Sequence, residues 1–176
     1  MLYVQQSLNK DEELVYVGHF HWMYNVQAVM AIVWGVVGCI AVIVGGVYVW
    51  DHYLGGLEAD TYLGKIRELH PAIRLGAFLV FVLSLLRFAQ MMVVKATTEI
   101  AVTTSRLIFK RGLVARYVGE MSIDRIEGVN VLQTILGRIF NYGRVMVRGM
   151  GVGEVILPPI ADPIAFRKAI DRAKSI

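Results

Sequence analysis

The chain begins polar and then turns apolar for a long stretch. Trp22 to Trp50 is a run of 29 residues without Asp, Glu, Lys or Arg. About 20 residues of helix cross the hydrocarbon core of a bilayer. His19, His21, Trp22 and Tyr24 stand before the run, and Trp50, Asp51, His52 and Tyr53 after it; such aromatics favour the headgroup region. The preceding Lys10-Asp11-Glu12-Glu13 is not the basic flank of a cleaved signal peptide. A second run, Leu75 to Val94, is bounded by Arg74 and Lys95 and carries Arg87 and Gln90. The pattern predicts a transmembrane hairpin over 22–95, with helices at about 22–50 and 75–94 and a connector at 51–74. In the connector, Asp60 or Thr61 can cap a short amphipathic helix with Tyr62, Ile66 and Leu69 on one face, ended by Pro71. Ala28, Ala31, Gly35, Gly38 and Gly45 form a small-residue stripe, the kind that lets helix backbones approach closely in lipid. Its partner is the second helix, through Gly76, Ala77 and Ser84, or another protomer; the intramolecular hairpin is the preferred reading. Arg87, two turns from Lys95, can snorkel to the interface or make a polar contact between helices.

After Lys95 the period shortens. Thr97–Thr104, Leu107–Arg111, Leu113–Ile123, a segment around Ile126, Val129 and Val131, Arg144–Arg148 and Glu154–Leu157 read as six strands. Leu132, Ile135, Leu136 and Ile139 fall at helical spacing, and Tyr142-Gly143 ends that turn. Asp162 caps a final helix with Pro163 at its first position, and Ile164, Phe166, Ala169, Ile170 and Ala173 form the apolar face. Consecutive strands with tight turns predict an antiparallel, barrel-like sheet, and the helix can cover an open end or edge. The fold class is an α+β membrane protein: an N-terminal cytoplasmic segment (1–21), the hairpin (22–95) and a β domain (96–176).

Charge sharpens this division. Only 18% of residues are charged, against about 25% in an ordinary soluble domain, and the shortfall lies in the first half. Residues 95–176 hold thirteen Lys/Arg against seven Asp/Glu. Near the membrane the tails outnumber the connector in basic residues by five to three, which places both termini and the β domain on the cytoplasmic side of an inner membrane. The single cysteine, Cys39, allows no intrachain disulfide.

Three stretches resemble the bacterial pleckstrin-homology-like membrane proteins: Thr103-Thr104-Ser105-Arg106-Leu107-Ile108 with Lys110-Arg111-Gly112-Leu113, Met121 to Val129, and Leu136 to Val145. The opening Glu12-Glu13-Leu14-Val15-Tyr16 and His21-Trp22 is similar to the segment before that family's first membrane helix. The resemblance implies a PH-like barrel of seven strands and a helix, a bacterial or archaeal origin, a tendency to oligomerise, and no catalytic residues to carry over. The strand pattern yields six, so one strand is unaccounted for.

Little in the chain suggests chemistry. Gly149, Gly151 and Gly153 lack phosphate-loop spacing and read as a hairpin turn. His19 and His21 have no third ligand beside them, so no metal or cofactor is expected. No nucleophile-and-base arrangement is readable, and no enzymatic activity is expected. The strands lack the basic-plus-aromatic platform of a nucleic-acid binder. The basic residues remain. Lys110, Arg111 and Arg116 straddle one turn, and Arg144 and Arg148 share a strand face with Arg138 nearby. They are the expected contacts to anionic membrane lipids or a partner. Three functions follow: a membrane-anchored scaffold that assembles with itself or with a membrane protein complex, an anionic-lipid-binding module, and a pore of several copies around Arg87 and Gln90. The first is preferred.

Overall fold

The computed structural model describes residues 2–53, 56, 59–112, 117–151 and 153–175. The chain forms two compact units. One comprises residues 26–92; the other combines residues 1–25 with 93–176.

The first unit is a helical hairpin. Helix α2 (Trp22–Tyr53) and helix α4 (Pro71–Thr97) are each long and apolar enough to cross a membrane, and little of either is buried. Between them lies a short helix, α3 (Tyr62–Glu68). Thr61 occupies its N-cap position without a side-chain cap bond, Tyr62 is exposed and Leu69 is buried. The long helices meet where side chains are small. Ala28, Gly35 and Ala77 are buried, and a Cβ built on Gly35 would lie 2.0 Å from Ser84 Oγ. A Cβ on Gly38 would meet Val80 at 3.1 Å. Ala31 is half-buried. Gly45 and Gly76 face open space, and the close approach passes instead to Gly46, against Ile73 and Leu69.

The second unit is built from strands. Helix α1 (Leu2–Ser7) and strand β1 (Leu14–Gly18) precede α2, and β2 (Glu99–Thr103), β3 (Arg106–Arg111) and β4 (Tyr117–Ser122) follow α4. These four strands form one antiparallel sheet in the order β1-β2-β3-β4. One strand absent from the sequence pattern is β1, paired with β2 through Leu14↔Thr103 and Gly18↔Ile100; the two-residue strand at Ile160–Ala161 is the other. The segment expected to be a separate tail is part of the sheet, and the helical hairpin is inserted between two paired strands.

A 3₁₀ turn at Ile123–Arg125 redirects the chain into a second antiparallel sheet. There β5 (Ile126–Leu132), β6 (Tyr142–Gly149) and β7 (Gly153–Ile156) lie side by side, and β8 (Ile160–Ala161) pairs with the start of β6. Helix α5 (Ile135–Ile139) bridges β5 and β6, and helix α6 (Pro163–Ala173) ends the chain. The expected barrel is not closed. Because the turn moves the chain between sheets, β4 and β5 do not pair, and among the described residues only an isolated bridge, Phe20↔Ile160, crosses outside the named strands.

Alternation sets the core. Ile100 and Val102, Leu107 and Phe109, and Val145 and Val147 point inward, and Phe166, Ile170 and Ala173 of α6 pack onto them. Asp162 stands at the N-cap of α6, but it does not cap the helix. Its φ is +48°, in the left-handed region, and its carboxylate accepts from the Asn141 side-chain amide while its N–H donates to the Asn141 carbonyl at 3.1 Å. A capping side chain requires an extended backbone at that position.

Candidate functional site

Strand direction gives the β unit two ends. Gly18 leads within four residues to Trp22, and Thr97 is followed two residues later by Glu99. Lys95 Nζ donates to Asn25 Oδ1 at 2.7 Å, tying these stretches together. This helix end also holds Arg111 and Tyr117, paired across β3 and β4, and Arg144, paired with Leu132. The far end holds Ser105, the Arg106–Ser122 pair and the Arg148–Glu154 pair.

The structure therefore separates the predicted basic residues. Arg111 and Arg144 line one groove of about 260 Å³, with Val94, Thr98, Phe109, Ile156, Leu157 and Pro158. The Arg111 guanidinium lies 5.5 Å from the centre of the Tyr117 ring. Arg148 is at the other end of its strand, 3.6 Å from Glu154. Lys110 belongs to a different face: it donates to Glu99 at 3.3 Å and lies over the Tyr3 ring. Arg116 lies outside the described residues. Arg87 donates to Gln90 at 3.1 Å, and both are exposed on α4.

The strongest polar cluster was not legible as a site. Glu12 sits with its side chain only 2% exposed. Its Oε1 accepts from Thr103 Oγ1 at 2.6 Å, Ser105 Oγ at 2.8 Å and Arg106 Nε at 3.0 Å. Its Oε2 accepts from Arg106 Nη2 at 2.8 Å and the Asn9 N–H at 3.2 Å. Burial pushes this carboxyl up, but the bonds from Arg106, Thr103, Asn9 and Ser105 together hold it at about 2. Arg106 continues to Glu120 and to the Ser7 carbonyl. Glu99 accepts from the Tyr3 and Val4 N–H groups, and Val4 packs with Ala101 and Ile108 on the outer side of the sheet. Despite burial, the Val4 and Tyr3 amides and Lys110 hold the Glu99 carboxyl below its ordinary range. The two carboxylates fasten residues 2–13 across the sheet. This is a structural clamp; every strong donor in it is already taken by an acceptor of the same chain.

Two of the histidines are held by local contacts. His21 accepts from the Met23 N–H and stacks on Tyr142, and His70 accepts from the Ala72 N–H and stacks on Trp50. Among the described residues no group of three His, Cys, Asp or Glu is placed to hold a metal ion.

Two antiparallel sheets around one core, with a C-terminal helix packed against it, have the layout of a PH-like module. The chain belongs to the bacterial PH domain family, whose model matches residues 14–174. The match begins at Leu14, the first residue of β1, and runs through both long helices. No curated protein and no solved structure gives a significant match.

Proposed function

We propose that this protein is a membrane-anchored PH-like interaction module that assembles with itself or with a membrane protein partner. Anchoring is supported by the two long helices, whose Leu, Val and Phe side chains remain largely uncovered. So much apolar helix surface is stable in lipid and unfavourable in water. The observation that carries the interaction reading is the open edge at β4. This strand pairs with β3 on one side only, contains no proline, and exposes Tyr117 and Val118. Unprotected edges of this kind accept an added strand. Val118→Glu places a charge on that edge, opposite Lys110 in the β3–β4 register, without touching the core. In mild detergent the wild type is expected to elute as a complex, and the variant as a particle at least twofold smaller with an unchanged melting curve. A monomeric wild type with no co-purifying protein contradicts the proposal.

A second reading rests on the groove. Arg111 and Arg144 beside Thr98 and Val94 supply two cations next to the end of an apolar helix, a setting suited to an anionic headgroup at about 1 kcal/mol per basic residue. Native mass spectrometry of the full chain with phosphatidylglycerol is expected to show at least tenfold weaker retention in Arg111→Glu/Arg144→Glu. Equal retention removes this reading.

A further inference from the structure

The β unit exposes a second apolar surface, on the short link between β5 and β6. Ile135 is 81% exposed, Ile139 67% and Leu132 54%, and Leu136 and Phe140 are also uncovered. The local structure does not require apolar residues here. Thr134 accepts from the Gly137 N–H at 3.1 Å to start the helix, and Gln133 Nε2 donates to the Gly137 and Tyr142 carbonyls, so polar groups alone fix the turn. Five large apolar side chains within nine residues, facing outward, are thus surplus to folding.

The position of this surface identifies what covers it. Phe140 lies edge-on to Trp22, with ring centres 5.6 Å apart, and Tyr142 stacks on His21 at 5.1 Å. Trp22 is the first residue of α2 and His21 immediately precedes it. Where that helix enters a bilayer, Trp22 sits at headgroup level, and Phe140 shares its depth. Arg138 and Arg144, both exposed, flank the apolar residues, the pairing of apolar insertion and basic charge that favours an anionic membrane surface. We infer that α5 is an interfacial anchor: Leu132, Ile135, Leu136, Ile139 and Phe140 enter the acyl boundary of the leaflet that α2 enters, and Arg138 and Arg144 meet its phosphates. The inference rests on membrane anchoring through α2 and α4. It adds a third attachment, which fixes the orientation of the β unit against the lipid.

The test uses the full chain in bilayers containing phosphatidylglycerol. In a Cys39→Ser background, single cysteines replace Ile139, Val37 on the exposed side of α2, or Ser122 at the far end of the β unit, and each carries an NBD fluorophore. Nitroxides on the lipid acyl chains should quench the labels at Ile139 and Val37 several-fold more than the label at Ser122, with blue-shifted emission. Quenching at Val37 with an aqueous, unquenched signal at Ile139 overturns the anchor while leaving the spanning helices intact. A blue-shifted but unquenched label at Ile139 shows that a second copy or another protein covers the face, and also overturns it. No quenching at either site overturns both the anchor and the membrane reading beneath it.

Discussion

Glu12→Ala is expected to destabilise the β unit by about 3–5 kcal/mol, the usual effect of removing one member of a buried, hydrogen-bonded ion pair. The substitution strips Arg106 of two bonds and removes the carboxylate that accepts from the Thr103 and Ser105 hydroxyls. Residues 2–13 should then release from the sheet before the core unfolds, so limited proteolysis should cut them early. Glu12→Gln retains an acceptor and should fall between the two. The pH dependence has a definite sign. The carboxyl is held at about 2 in the folded protein against an ordinary value of 4.5, so its contribution is present above pH 4.5. It is lost as the pH falls through that window towards 2, and amounts to about 3 kcal/mol. Melting curves of the wild type should steepen their decline across this range, and those of Glu12→Gln should not. Parallel declines contradict the role given to this carboxylate.

Gly35→Ala is expected to disrupt the helical hairpin. The added methyl would stand 2.0 Å from Ser84 Oγ and 2.2 Å from Ser84 Cβ. Neither atom belongs to a long side chain that could swing aside, so the helices must separate, at about 1–3 kcal/mol. Gly35→Ala/Ser84→Gly moves the bulk to the other helix and should recover most of the loss. The check is the melting temperature in detergent of the single and double variants. A silent Gly35→Ala, or a double variant no better than the single, means that these helices do not pack through this contact in solution.

These two sites differ in how far the sequence reveals them. The long apolar runs define α2 and α4 because lipid-length helices have a local signature. The exposed face of β6 is equally plain, since Arg144, Met146 and Arg148 alternate with the buried Val145 and Val147. Gly35 follows from the small-residue stripe, but Gly45 does not meet a neighbour and Gly46 does. The stripe Ala28, Ala31, Gly35, Gly38 and Gly45 follows the alternating three- and four-residue steps of a supercoiled pair, whereas Ala28 and Gly46, eighteen residues apart, are separated by five turns of straight helix at about 3.6 residues per turn. Strand β1 is hidden from the sequence pattern for a different reason. It is five residues long and its partner lies beyond both long helices, 82 or more residues further on, so no local periodicity reports the pairing. The Glu12–Arg106 clamp spans 94 positions and is hidden in the same way. Lys110 and Arg111 are neighbours in sequence, yet they divide between the Glu99 contact and the groove because successive side chains of a strand take opposite faces.

The central claim is that lipid is the solvent of α2 and α4. Alkaline carbonate extraction of membranes from cells expressing the full chain tests it most directly. The protein is predicted to remain in the membrane pellet and to leave it only with detergent. Release into the carbonate supernatant as a dispersed, folded monomer would contradict the account.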